Sequence, residues 1–170
     1  MPRNIEIKAR ISSVEALLPL ATVLADRAAE VLVQDDTFFA VAHGRLKLRE
    51  FADGSAELIH YQRPDQAGAR ASDYVRLPVP DAARLREALA RGCGVIGRVR
   101  KRRWLLLRGQ TRIHLDRVDD LGDFMELEVV LQSLQTDEEG HRIAQALMVQ
   151  LGLSQAPLLA GSYLDLLTHA

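Results

Sequence analysis

Arg3-Asn4-Ile5-Glu6-Ile7-Lys8-Ala9-Arg10-Ile11 alternates polar or charged side chains with apolar ones along its whole length. Successive side chains of a strand point to opposite faces. Ile5, Ile7, Ala9 and Ile11 therefore share one side, and Asn4, Glu6, Lys8 and Arg10 share the other. An acid and two bases two residues apart can meet opposite parts of one ligand, with a cation at Glu6 and an anion at Lys8 and Arg10. A sheet with one face in water gives the same alternation, so this strand alone leaves both readings open.

The pattern recurs in Gly44-Arg45-Leu46-Lys47-Leu48-Arg49-Glu50, in Thr111-Arg112-Ile113-His114-Leu115-Asp116 and in Phe124-Met125-Glu126-Leu127-Glu128-Val129-Val130. Between these lie helical stretches whose apolar residues need a surface to pack on. If the sheet curls, its apolar parity must turn outward to the helices and its charged parity inward. Two unit charges about 4 Å apart interact by roughly 4 kcal/mol at an effective dielectric near 20. A lumen crowded with bases and acids cannot stay dry and uncompensated. Mutual ion pairing satisfies some of the charges; a polyanion carrying divalent cations satisfies both sets at once.

Composition limits the alternatives. The 170 residues suit one domain, 1–170, with a substantial core. A net charge of −1 lacks the basic footprint of a general nucleic-acid binder. Aromatic residues are 5% of the chain, too few for the stacking platforms of a single-strand binder. Cys93 is the one cysteine, which excludes an internal disulfide and a cysteine-rich zinc site. There is no apolar run of membrane-spanning length and no secretory leader pattern, so a cytoplasmic protein is expected.

Along the chain, Ser12-Ser13-Val14-Glu15 reads as a capping box opening a helix through about Glu30, with Pro19 kinking it or delaying its regular part. Strands are expected at Val31–Val41, Arg45–Phe51, Glu57–Arg63, Ser72–Val79, Val99–Leu107, Gln110–Val118 and Phe124–Leu131. Helices are expected after Pro80-Asp81, after the capping box Thr136-Asp137-Glu138-Glu139, and at Ser162–Leu167. Pro64–Ala71 reads as a loop. Gly92-Cys93-Gly94-Val95-Ile96-Gly97 matches Gly-x-Gly-x-x-Gly, but a helix precedes it and a strand follows, the reverse of a dinucleotide fingerprint. The glycines are a helix cap and a turn. No Walker A segment is present. His43, His60, His141 and His169 show no metal-ligand spacing, and Arg98–Arg103 splits by alternation between two faces. Eight strands, joined mostly as hairpins, with three or four helices suit an α+β protein whose sheet closes on itself.

Asn4-x-Glu6-x-Lys8, followed by these strands in this order, resembles the CYTH family, the triphosphate tunnel metalloenzymes, whose signature is Glu-x-Glu-x-Lys. The likeness is nearest to the class IV adenylate cyclase branch and covers nearly the whole chain. It implies a closed eight-stranded antiparallel β-barrel with flanking helices, enclosing a tunnel for triphosphate. It implies Mg²⁺ or Mn²⁺ as cofactor, with Glu6, Asp116, Glu126 and Glu128 as metal ligands, all hard oxygen donors. Lys8, Arg10, Lys47, Arg49, Arg63, Lys101, Arg103 and Arg112 would hold phosphate oxygens, with Tyr61 as the other occupant of the Arg63 register. Glu6, Lys8, Glu126 and Glu128 would be catalytic. Tyr163 would close one tunnel end, and His114 faces the site. The implied partner is ATP, tripolyphosphate or thiamine triphosphate, with no membrane or nucleic acid, and a homodimer is compatible with it. The reaction would be ATP cyclisation to cyclic AMP or triphosphate hydrolysis. The first Glu of the signature is Asn4 here. An amide ligates through oxygen without bringing charge, which leaves the metal count open and keeps a non-catalytic polyphosphate- or nucleotide-binding module as the alternative.

Overall fold

A computed structural model of the chain describes residues 3–62, 68 and 70–169. Its strands are β1 (Arg3–Arg10), β2 (Glu30–Phe39), β3 (Arg45–Phe51), β4 (Ala56–Gln62), β5 (Arg70–Pro78), β6 (Val95–Arg108), β7 (Thr111–Val118) and β8 (Gly122–Val130). They close in the order β1-β5-β4-β3-β2-β6-β7-β8, every pair antiparallel. Closure gives every described strand a partner on each side. The helices are α1 (Val14–Leu24), α2 (Ala82–Gly92), α3 (Asp137–Gln150) and α4 (Tyr163–Thr168).

The barrel is inside out relative to an ordinary core, as the alternation predicts. Ile5, Ile7 and Ala9 of β1, Ile113 and Leu115 of β7, and Met125, Leu127 and Val129 of β8 are buried on the outer surface. There they pack against Val14, Leu17 and Ala21 of α1 and Ala144, Leu147 and Met148 of α3. Leu46 and Leu48 of β3 meet Leu85 and Leu89 of α2 in a separate cluster. Each fully buried Leu or Ile stabilises the jacket by about 1.5–3 kcal/mol. The same alternation leaves the opposite parity of these strands facing the lumen.

Several boundaries differ from expectation. Helix α1 is capped by Ser13, whose side chain accepts from Ala16 N, and not by Ser12; Glu15 instead pairs with Arg117. It stops at Leu24 and not near Glu30, because Asp26 N bonds Leu107 O and Glu30 already belongs to β2. Pro19 sits inside the helix. Strand β6 starts at Val95, four residues before the expected Val99, because Val95–Arg98 pairs with Thr37–Phe39. Gly97 in that extension is where α4 comes closest: a Cβ there would stand 2.3 Å from Leu164 Cδ1. At Gly44 in the β2–β3 turn, φ is +66° and a Cβ would meet Tyr61 O at 2.5 Å, so only glycine fits. The end of the expected strand at Arg63, and most of the expected loop, lie outside the described residues. Among the described residues no helix is long and apolar enough to cross a membrane.

Candidate active site

The lumen encloses a cavity of about 90 Å³, room for several water molecules. Its lining sorts by strand. Glu6 and Lys8 come from β1, and Glu126 and Glu128 from β8. Lys47 and Arg49 come from β3, and Lys101 and Arg103 from β6. In the closed order, β1 and β8 stand across the barrel from β2 and β3. A carboxylate wall with one lysine thus faces Lys47 and Arg49, and the basic wall continues past β2 to Lys101 and Arg103 on β6.

Register explains the acidic wall. Glu6 is level with Glu128 and that with Arg112; Lys8 is level with Glu126 and that with His114. Lys8 Nζ lies 3.6 Å from Glu126 Oε2 and 4.2 Å from the centre of the Tyr163 ring. Arg112 Nε lies 3.1 Å from Glu128 Oε2, and its Nη2 donates to Tyr74 Oη at 3.2 Å. His114 stands between the two carboxylates, Nδ1 3.5 Å from Glu126 and Nε2 3.8 Å from Glu128. Burial, aided by the Arg103 charge, lowers the His114 pKa and favours the neutral ring. Burial would raise the Glu126 carboxyl, but Lys8, the His114 ring beside it and Arg103 together hold it well below the usual range.

On the basic wall, the carboxylate of Asp36 in β2 is 1% exposed and gathers three cations. Arg49 donates Nε and Nη2 to it, both at 2.7 Å. Lys47 Nζ donates at 2.9 Å and Lys101 Nζ at 3.2 Å. Beside them Arg103 forms a two-pronged pair with Asp116, at 2.7 and 2.6 Å, and Tyr163 Oη donates to the same carboxylate at 2.7 Å. Burial, then Asp116 and Glu126, push the Tyr163 phenol well above its ordinary pKa, so it stays a donor. The plug around Tyr163 also supplies Gly161 O, which accepts from Lys8 Nζ at 3.3 Å, and Asp165, which takes Arg45 at 2.7 Å. This end of the barrel is filled by Tyr163 and Leu164 against Phe38, Val99 and Phe124.

The structure brings Glu6, Lys8, Lys47, Arg49, Lys101, Arg103, Glu126 and Glu128 to one cavity. It does not bring all the expected residues there. Arg10 is exposed at the end of β1, donating to Leu121 O at 2.7 Å and lying over the Phe124 ring. Parity puts it on the inner face, but the barrel has ended by that level and Phe124 fills the space. Asp116 is fully buried behind Arg103 and Tyr163, which take both its oxygens, and it is not at the cavity surface. Arg112 reaches the site through Glu128. Arg63 lies outside the described residues, while Tyr61, its alternative, lines the cavity. Sequence reading missed Asp36, Ser72, Tyr74 and Arg76. For the last three the signal was present, since they alternate with Ala71, Val75 and Leu77 along β5.

The donor chemistry fits a hard divalent cation. Glu6, Glu126 and Glu128 are oxygen donors aimed into the same space. Asn4, fully buried, donates its amide to Glu128 while its Oδ1 has no hydrogen-bond partner among the described residues. An unpartnered amide oxygen is also a hard donor. Among the described residues no three of His, Cys, Asp and Glu converge as a metal cluster; Lys8, His114 and Arg112 stand against the Glu126 and Glu128 carboxylates instead.

The sequence profile of the CYTH domain matches residues 2–163. The chain belongs to the CYTH family. Its barrel superimposes on that of a Pyrococcus horikoshii protein with a TM-score of 0.86 and 26% identity, over 96% of this chain and 98% of the other. A candidate adenylate cyclase from Vibrio parahaemolyticus shares the fold with a TM-score of 0.80 and 22% identity, over 97% of each chain. A Hippeastrum protein considered an adenylyl cyclase, whose dominant activity is that of a triphosphatase, matches with a TM-score of 0.65 and 17% identity, over 94% of this chain and 91% of its own. No curated protein matches this CYTH chain in sequence.

Proposed function

We propose that the barrel binds a triphosphate chain between its two charged walls and catalyses attack on it with the help of Mg²⁺ or Mn²⁺. The observation that carries this reading is the placement of Glu6, Glu126 and Glu128 across the lumen from Lys47 and Arg49, with Lys101 and Arg103 on β6 lining the same cavity. A phosphate chain neutralises the basic wall and, with a cation on its other side, the acidic one. The Arg49 and Arg103 guanidiniums suit paired phosphate oxygens, while Lys8 and Lys101 act as point charges. Glu6, Glu126 and Glu128 would hold the cation, with Asn4 Oδ1 as a neutral addition; Asp116 would serve by fixing Arg103. When bound, the cation supplies charge neutralisation at the phosphoryl oxygens and lowers the pKa of an attacking group. The chain's own contribution is positioning and charge neutralisation between the two walls, which is most of what phosphoryl transfer requires.

Two reactions share this grip. Water attacking the terminal phosphoryl releases orthophosphate and a diphosphate. The ribose 3′-hydroxyl of ATP attacking the α-phosphate gives cyclic AMP and pyrophosphate. The lining is mostly charged groups suited to phosphate and cation, which triphosphate hydrolysis needs and which cyclisation needs together with a nucleoside seat. Triphosphatase activity is the first reading, with ATP, tripolyphosphate and thiamine triphosphate as candidate substrates and the cyclase as the second reading. Protein incubated with each substrate and Mg²⁺ or Mn²⁺, with products resolved by chromatography, separates them. Orthophosphate supports hydrolysis and cyclic AMP supports cyclisation. Tight binding without either product means a polyphosphate-binding module and ends the enzymatic reading.

A further inference from the structure

Among the described residues Asp36 is the one carboxylate of the basic wall that lines the cavity, and its surroundings are unlike those of the acids opposite. It is 1% exposed and lines the cavity, and its oxygens accept four hydrogen bonds from Lys47, Arg49 and Lys101. These donors come from the two strands that flank β2, with Arg49 directly level with Asp36. Without an anion between them, three cations within reach of one point would repel each other and spread. We infer that Asp36 is a positioning residue of the triphosphate site: its carboxylate gathers Lys47, Arg49 and Lys101 into one array and keeps that array cationic until the phosphate chain arrives. This rests on the triphosphate reading above.

The charge balance supports the role. Burial lowers the Lys101 pKa to about 8, with Arg49 and Arg103 adding to the effect and Asp36 opposing it. Burial and Arg49 take Lys47 well below its ordinary value, again against Asp36. The groups facing this cluster are Lys47 and Arg49 from β3, Lys101 and Arg103 from β6, Asp116 from β7, which also favours the charged form of Lys101, the Tyr61 ring from β4 and the Tyr163 ring of the plug. Removing the Asp36 charge takes away what holds the two lysines protonated. Their pKa values then fall further, and near neutral pH the wall loses cations and so its grip on polyanions. The sign is definite: a lysine is charged only below its pKa, so the lost affinity returns as pH falls. Each pH unit by which a lysine comes to titrate below the working pH weakens binding to its charged form about tenfold. A carboxylate that merely supported the fold would give no such recovery.

The test is calorimetric titration of inorganic tripolyphosphate into the full chain in EDTA, which removes turnover and metal, at pH 6.0 to 8.5. Asp36→Asn is expected to bind about tenfold more weakly than wild type at pH 7.5, with the ratio shrinking toward one at pH 6. Asp35→Asn is the control, since Asp35 points outward to Arg98 and Arg100; it should bind within about twofold of wild type. If Asp36→Asn does not fold, Asp36→Glu keeps the charge and displaces it by one methylene, and should bind several-fold more weakly at every pH. Wild-type affinity from Asp36→Asn, or from Asp36→Glu in its place, overturns the assignment, as does a loss that is the same at all pH values in Asp36→Asn. Failure of wild type itself to bind tripolyphosphate, in EDTA and again with Mn²⁺ present, sinks the triphosphate reading instead.

Discussion

Asp116→Asn separates a structural clamp from a metal ligand. The Asp116 carboxylate is fully buried and receives two hydrogen bonds from Arg103 and one from Tyr163, all between 2.6 and 2.7 Å. The Arg103 side chain is itself 8% exposed, so the amide leaves a guanidinium buried without its counter-charge. Breaking such a pair from one side costs about 3–5 kcal/mol. In a protein of this size each kcal/mol moves the melting temperature by about 2–4 °C, so a fall of about 6–20 °C is expected by calorimetry. Mn²⁺ affinity measured without substrate should change by less than about threefold, because Asp116 is not at the cavity surface, while tripolyphosphate affinity falls as Arg103 loses its seat. Pairing the change with Arg103→Met should recover much of the stability, since an apolar pair replaces a broken ionic one. An unchanged melting temperature with Mn²⁺ binding lost would refute the reasoning and return Asp116 to the ligand set.

Glu126→Gln removes a charged oxygen donor from the acidic wall; metal-dependent turnover should fall at least about 100-fold, more than loss of an outer-shell partner costs, and wild-type rates would show the site is misplaced. Asn4→Glu sets a buried carboxylate against Glu128, costing more than about 1–3 kcal/mol in metal-free protein; the lost stability should return with Mn²⁺ in thermal melts, and a variant indifferent to Mn²⁺ contradicts a cation beside position 4. Asp36, Asp116 and Glu126 all have depressed folded pKa values. Their contribution is therefore complete above the unfolded carboxylate values, about 3.9 for Asp and 4.3 for Glu, and is lost as pH falls through the lower folded values. Urea denaturation from pH 2 to 6 should show stability dropping below about pH 4, and a flat profile would count against the buried pairs.

The barrel was legible because β1, β3, β7 and β8 alternate without interruption, so one parity had to face the helices. Ile5, Ile7, Leu127 and Leu115 do pack outward, and Lys8, Arg49 and Glu128 turn inward. Asp36 was hidden by its context: Asp35-Asp36-Thr37-Phe38-Phe39 has no alternation, since Asp35 is paired on the outer surface and Phe39 is buried under α2. Parity also cannot say where along a strand the lumen ends, which is why Arg10 was drawn into the site although Phe124 closes the barrel at that level. Nor can it tell a lumen residue that meets ligand from one that holds its neighbour. Asp116 has the right parity, and only its bonds to Arg103 and Tyr163 show what it does. The plug carrying Tyr163 is a contact between residues far apart in the chain; the family resemblance, and no local pattern, pointed to it.

Crystals grown with Mn²⁺ and tripolyphosphate, measured at the manganese absorption edge, test the central claim most directly. An anomalous peak within the barrel beside Glu6, Glu126 and Glu128, with phosphates between it and Lys47, Arg49 and Lys101, is the expected result. Manganese and phosphate bound only on the outer surface, with the two walls still paired to their own neighbours, would contradict it.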